Sequence, residues 1–349
     1  MIAASKDKPN SETAANANLV FVEQAPHEEG FAAHFKQHIK PKLLKIEETY
    51  QKTRAEYRIR CGLALGALAI AVMIAIVLFR QNADGKVIGL LAIGALVAGN
   101  KIYNWVMEPI EDITANRKQT IIPEVLNFIG DFRYINNGKI SDGTLKYMGL
   151  FDYWDKYKSE NLITGSYYDR DFQFAEAELS DESGDGISQV FKGWLFVLKM
   201  PSKLKRTIAI GQKGKVSKWL SDMFGSSKGL HEIPFEDDRI RERYDIYSTD
   251  VLEAHRLVTP KLIDAIQKLG NLRGGSSIEF GVGGDLFLLK LATNRNLFEP
   301  VTERDSGLTT EDTRRFLEEL HEVLVIIEAL AVATDPRSDE PTSNLPNPK

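Results

Sequence analysis

The run from Cys61 to Phe79, "CGLALGALAIAVMIAIVLF", holds nineteen residues and no charged side chain. As a helix it would extend about 28 Å, close to the hydrocarbon thickness of a bilayer. In a soluble fold such a helix needs a core that covers every side of it. In a bilayer it needs no cover, because a helix satisfies its own backbone hydrogen bonds. A second run, Val87 to Gly99, is also free of charge and then meets Asn100 and Lys101. Lys101 can snorkel there, with Tyr103 and Trp105 at the aromatic level of an interface. Two transmembrane helices are therefore expected at 61–79 and 87–106, forming a hairpin over residues 61–107.

Orientation follows from the basic residues at the span ends. Lys40, Lys42, Lys45, Lys52, Arg54, Arg58 and Arg60 precede the first span, and Lys101, Arg117 and Lys118 follow the second. The connector "RQNADGK" carries only Arg80 and Lys86. Ten against two places both termini in the cytoplasm and the connector outside. The small-residue pair Gly62 and Gly66 is positioned to let the spans approach closely. No secretory signal is expected, since a long polar stretch precedes the first apolar run.

Outside the spans the chain divides by composition. Residues 1–28 and 335–349 are polar and aperiodic and read as disordered tails. Residues 29–60 read as a cytoplasmic juxtamembrane helix. Its positions Ile39, Leu43, Ile46, Tyr50, Thr53 and Tyr57 keep a heptad-like step, with a bend or start near Pro41. Residues 108–334 read as an α+β domain with a largely antiparallel sheet, flanking helices and a long C-terminal helix. "EDITANRKQTIIPEVLNFI" and "DGTLKYMGLFDYWDKYK" look helical. "FQFAEAEL", "QVFKGWLFVLKM", "KRTIAIG", "HEIPF" and "YDIYS" look strand-like. "SSIEFGVGGDLFLLKLAT" predicts a hairpin turning on Gly283-Gly284. Two further helices are expected from Ser248 or Thr249 and from Pro260. A long amphipathic one is expected from Thr310 to Thr334, with Phe316, Leu317, Leu320, Val323, Leu324 and Ile327 on one side.

Charge is unevenly spread over this domain. Residues 191–221 hold eight basic residues and no acidic one, whereas residues 108–190 and 222–332 each sum to −8. Within the basic segment Val216, Trp219, Leu220, Met223 and Phe224 share one helical face, with Lys213, Lys215 and Lys218 beside it. That face either covers the domain's own sheet or lies in a headgroup layer while the lysines meet lipid phosphates. Lys203, Lys205, Arg206, Lys213, Lys215, Lys218 and Trp219 are thus the candidate residues for anionic lipid. A net charge of −5 gives no footing for nucleic acid as a global partner.

The segments "YINNGKISDGTLKYMGLFDYWDKYKSENLITGSY", "VFKGWLFVL", "YDIYSTDVLEAHRLVTPKL" and "SSIEFGVGGDLFLLKLA" together resemble a bacterial membrane-anchored family catalogued as domain of unknown function 3137. The resemblance covers roughly residues 31–333. It implies a bacterial inner-membrane location and, through neighbouring genes, a small LemA-like membrane protein as partner. It brings no reaction and no catalytic residue.

Chemical motifs are sparse. Gly211-Gln-Lys-Gly214-Lys215 lacks the spacing of a phosphate loop, and Val216 stands where Ser or Thr is needed. Asp181, Ser183, Asp185 and Gly186 begin like a calcium loop, but Lys192 stands where the bidentate Glu belongs. His34 and His38 sit one helical turn apart without a third ligand nearby. Ser248, Asp250, Glu253 and His255 cluster, yet Ser248 and Asp250 suit helix caps and no nucleophile elbow surrounds them. Cys61 alone forms no disulfide framework. No catalytic residue, metal or cofactor is assigned. The expected activity is binding or scaffolding at the membrane. A hydrolase using residues 248–255, or a scaffold for an acidic protein or RNA, are the alternatives.

Overall fold

The computed structural model describes residues 19–80, 85–151, 153–183, 186–213, 231–272, 274, 277–295 and 310–335. The chain forms two units, one built on residues 30–124 and one on residues 24–29, 125–301 and 311–335.

The first unit is helical. Helix α1 (Phe31–His34) passes through a π-helical turn, Phe35–Ile39, into α2 (Lys40–Arg80). The wide turn falls just before Pro41, whose ring excludes the carbonyl four residues back and offers no N–H to it. Helix α3 (Gly85–Ile129) then runs for 45 residues through Pro109 and Pro123. The two long helices are antiparallel neighbours. Lys42 Nζ lies 2.5 Å from Glu124 Oε1, and Arg60 donates to Trp105 O at 2.5 Å and to Glu108 Oε2 at 3.0 Å. These pairs join positions whose numbers add to about 166, a constant register.

Ile39, Leu43 and Ile46 are buried, as are Ile121 and Ile122 on α3. The heptad-like seam at those three positions is thus covered. Residues 19–28, expected as part of a tail, carry structure. Phe21 is buried, with ring centroids 4.8 Å from Phe31 and 5.6 Å from Phe35, and Glu23 accepts from Ala32 N at 2.8 Å. A polar average concealed one aromatic anchor.

Among the described residues one helix is long and apolar enough to cross a membrane, Ala55–Val77. The side chains at 87–93 and 95–97, which would make the second, lie outside the described residues. A Cβ added at Gly62 or Gly66 meets no described atom within 4 Å, and most side chains of the helix expected to face them lie outside the described residues.

The second unit is α+β and antiparallel. Its strands are β1 (Arg133–Ile135), β2 (Lys156–Tyr167), β3 (Arg170–Asp181), β4 (Ser188–Gln212), β5 (His231–Glu232), β6 (Tyr244–Ser248) and β7 (Ser277–Ala292). They join in the order β1-β2-β3-β4-β6-β5, with β7 also on β4. The helices are α4 (Asp142–Met148), α5 (Asp238–Arg241), α6 (Val251–Leu257), α7 (Pro260–Leu272) and α8 (Thr310–Thr334).

Both faces of the central strands are covered. Ala175, Ala177, Leu179, Leu195 and Val197 join Ile140, Leu145 and Met148 in one cluster. The alternate residues Phe172, Phe174, Trp194 and Phe196 are buried on the other side, with Phe287 6.0 Å from Phe196. Burial on two faces is why this stretch of β4 reads as an unbroken apolar run. Gly193, at φ 153°, passes so close to β7 that a Cβ would stand 2.0 Å from Leu291 O.

Strand β4 is longer than the two strands expected from its sequence, and it bends. Its pairing with β7 shifts register between Lys199 and Leu204 and again before Ile208. Strand β7 must reverse, because Glu279 and Lys290 meet at 2.7 Å although eleven extended residues would span about 36 Å. Gly284, at φ 62°, supplies the positive φ of the first central position of a type II′ turn. The β2–β3 hairpin uses Tyr168 and Asp169, at φ 52° and 57°. Next to it Arg170 is buried and donates from Nη2 to Thr334 Oγ1 at 2.6 Å, tying the hairpin to the last turn of α8.

Helix α8 occupies the residues expected. Its apolar side is buried as expected, but so are Asp312, Thr313, Glu319 and Glu322. A stripe through Glu311, Arg315, Glu318, Val325, Glu328 and Val332 stays partly exposed, so the helix is amphipathic with some charged residues inside.

Candidate functional site

Where the first residues of β4 pass the two ends of β7, the second unit opens a cleft of about 350 Å³. Phe191 and Lys192 come from β4, Ser277 and Glu279 from the start of β7, and Lys290, Thr293 and Asn294 from its end. The reversal of β7 is what brings Glu279 to Lys290. Lys290 Nζ donates to Leu150 O at 2.7 Å and lies 5.1 Å from the centroid of Phe151. Its contact with Glu279 Oε2, at 2.7 Å, has the closeness of an ion pair without hydrogen-bond angles, so that oxygen keeps acceptor capacity. Both side chains are largely buried, at 15% and 14% exposure. At the rim Lys192 lies 3.9 Å from Glu178.

This arrangement fixes a cationic head group from three sides and surrounds it with hydroxyl and amide groups. It can hold a small polar ligand and, among the described residues, contains no nucleophile with an adjacent base. Sequence reasoning did not single out Glu279 or Lys290. The predicted turn on Gly283-Gly284 would set 279 opposite 288; the turn lies one residue later, at Gly284-Asp285, and sets 279 opposite 290.

The residues singled out from sequence are dispersed. Lys213 donates from Nζ to Arg241 O at 2.8 Å, and its N–H bonds Arg243 O. The side chains of Lys203, Lys205 and Arg206 lie outside the described residues, although their backbone belongs to β4. Lys215, Lys218, Trp219 and the whole amphipathic segment 216–224 also lie outside them.

Ser248 is fully buried, donating to Asp250 O at 2.9 Å and accepting from Asp250 N at 3.0 Å. Asp250 caps α6 by accepting from Leu252 N and Glu253 N, one residue later than the predicted start. The ring of His255 packs on Phe235 at 4.4 Å. These are turn, cap and packing roles.

His34 and His38 rings lie 4.7 Å apart, and His34 Nε2 meets Glu124 O at 2.8 Å. Among the described residues no group of three or more His, Cys, Asp or Glu is placed to hold a metal. In the calcium-like loop Asp181 accepts from both the N–H and the hydroxyl of Ser183, and Asp185 lies outside the described residues.

One polar cluster was missed. Asn161, at φ 57° and buried, sits in the β2 bulge between Glu160 and Ile163. Its Oδ1 accepts from Tyr134 at 2.7 Å and its Nδ2 donates to Glu176 at 3.3 Å. Burial, helped by Glu160 and Glu176, pushes the Tyr134 phenol up to about 12, so it serves as a donor and not as a base.

Comparison with known proteins gives a family without a reaction. No curated protein matches the chain. The crystal structure of the mycobacterial trehalose monomycolate transport factor A, TtfA, aligns with 57% of this chain and 88% of its own, at 10% identity and a TM-score of 0.30. Residues 189–332, from the start of β4 to near the end of α8, match the family described as "Protein of unknown function (DUF3137)". The match thus runs from β4 to α8 of the α+β unit, and the family is the one its strand and helix segments resemble.

Proposed function

We propose that this is a bacterial inner-membrane protein with two antiparallel spans and cytoplasmic termini, whose α+β domain acts by binding rather than by catalysis. The observation that carries the reading is Ala55–Val77. Leu63, Leu65, Leu68, Ile70 and Met73 point around its circumference, each at least 55% exposed. Nothing in its most apolar 18-residue stretch is buried. A water-facing helix of this composition would present far more apolar surface than soluble proteins leave uncovered. The second span is supported by register. Continued along straight helices, the pairing that sums to about 166 sets 61–79 beside roughly 87–105. Arg60 and Trp105 then share one end, with the guanidinium 4.9 Å from the indole centroid, as suits a headgroup boundary.

The basic segment 191–221 is proposed to meet anionic lipid. Each Lys or Arg near such a surface contributes about 1 kcal/mol, and the tether supplies a high effective concentration. Topology is tested with reporters active only outside the cytoplasm, fused at residue 349 and at Asp84. Activity from the Asp84 fusion alone is expected, and activity from the residue 349 fusion alone would overturn the arrangement. Lipid contact is tested by trypsin cleavage at Lys213, Lys215 and Lys218 in nanodiscs. Slower cleavage in anionic than in neutral discs, lost at high salt, is expected. Equal cleavage would remove the lipid from the proposal.

A further inference from the structure

We propose that residues 24–29 form an acid-released strap across α8, with the stacked rings of His27 and His321 as its trigger. The strap belongs to the second unit and contains the 3₁₀ turn Pro26–Glu28. It is the stretch of chain immediately ahead of α1.

Two contacts hold it. The His27 and His321 rings stack face to face, with centroids 4.3 Å apart and an interplanar angle of 12°. Beside them Glu28 is 1% exposed and lies 2.9 Å from Arg314 Nε, while its other oxygen accepts from Gln24 N at 2.5 Å. Both contacts reach the same helix, one from each of two consecutive strap residues.

The two respond to acid in separate ranges. Parallel imidazoles this close pack well when neutral, but two imidazolium rings repel. The charged groups facing His321 are His27 from the strap, Lys268 from α7 and Glu328 from α8 itself. Glu328 is engaged by Lys261 at 2.9 Å, and Lys268 lies 3.8 Å from Glu322. Burial, then His27 and Lys268, hold His321 below its ordinary value of 6.5. A histidine depressed by folding lends stability that is complete above its unfolded value and is lost as pH falls below it. Glu28 behaves differently. Burial raises its carboxyl, but the Gln24 and Ala25 N–H groups and Arg314 outweigh that and hold it below 4.5. Its share is therefore complete above pH 4.5 and is lost only below that. As pH falls below about 6.5 the ring stack loses stability, while the Glu28–Arg314 pair keeps its own down to about pH 4.5. The strap then loosens at its histidine without general acid unfolding.

The test is hydrogen exchange on the full chain in nanodiscs at pH 7.5 and 5.5, corrected for intrinsic rates. Protection of residues 24–29 should fall at least tenfold at pH 5.5, while protection of residues 326–330 stays level. His27→Phe keeps an aromatic stack that cannot be charged, so its strap should be equally protected at both values. If His27→Phe does not hold the strap at pH 7.5, His321→Phe is read in the same way. Unchanged protection in the unmodified chain overturns the proposal. So does a variant that loses protection with acid as the unmodified chain does.

Discussion

Helices α2 and α8 are built from the same apolar residue types, and the two units treat them in opposite ways. In α8 the apolar residues from Phe316 to Leu330 are buried, Val325 excepted, and even Glu319 and Glu322 are taken inside. In α2 the residues from Leu63 to Val77 that could be buried stand in the open. A folded chain in water gains roughly 1.5–3 kcal/mol for each large side chain it buries. Leaving so many uncovered in one helix, while burying most of another's, is the contrast that the proposed membrane span would account for. Composition alone does not separate them. The presence of charge does: α8 carries eight Asp, Glu or Arg residues between Glu311 and Glu328, and α2 carries none between Cys61 and Phe79.

The largest expected effect tests that contrast directly. Ile327 is fully buried, and Ile327→Ala should destabilise the α+β unit by about 2–5 kcal/mol, through lost transfer energy and the cavity left behind. Ile70, at 55% exposure, should tolerate Ile70→Ala with a change of about 0.5 kcal/mol or less in the unfolding of that same unit. Denaturant titration in detergent, followed by tryptophan fluorescence, measures both. Equal effects at the two sites would break the distinction.

The glycines offer a finer version. Gly284 holds a positive φ, and a Cβ there would also crowd the Tyr147 hydroxyl. Gly284→Ala should cost about 1–3 kcal/mol through backbone strain. Gly66 stands in mid-helix with no described atom within reach of an added Cβ. Gly66→Ala should leave stability unchanged or raise it by up to about 1 kcal/mol. A loss at Gly66 would support the close helix contact its spacing suggests.

What was legible from sequence was local. Helix α8 was bounded by Thr310 and Thr334, α7 by Pro260 with Thr259 accepting from Leu262 N, and the β7 reversal by its glycines. These follow from periodicity, caps and turns, which a few neighbouring residues determine. What was hidden depends on distant partners. The strap of residues 24–29 has a tail's composition, and among the described residues its contacts to Arg314 and His321 lie nearly three hundred residues away. The cleft needed β7 folded and β4 paired to both of its halves. The long continuous helices were cut short in the reading because charge marks where a bilayer would end, and a helix does not stop where its solvent changes.

The smallest expected effect separates a helix cap from a catalytic carboxylate at Asp250. The cap needs only a side-chain oxygen accepting from Leu252 N and Glu253 N, at 2.8 Å and 3.1 Å. Asparagine presents the same oxygen, so Asp250→Asn should change stability by only a few tenths of a kcal/mol, whereas Asp250→Ala should cost about 1 kcal/mol. A carboxylate that orients or activates a catalytic partner would answer the other way, since asparagine keeps the shape and removes the charge. Melting curves for both variants, run beside a hydrolase screen of the purified chain, give the two readouts together. Stability lost in alanine and retained in asparagine, with no turnover in any form, leaves Asp250 as the cap of α6. A turnover abolished by Asp250→Asn would make the 248–255 cluster a site, and the binding reading of this domain would fall with it.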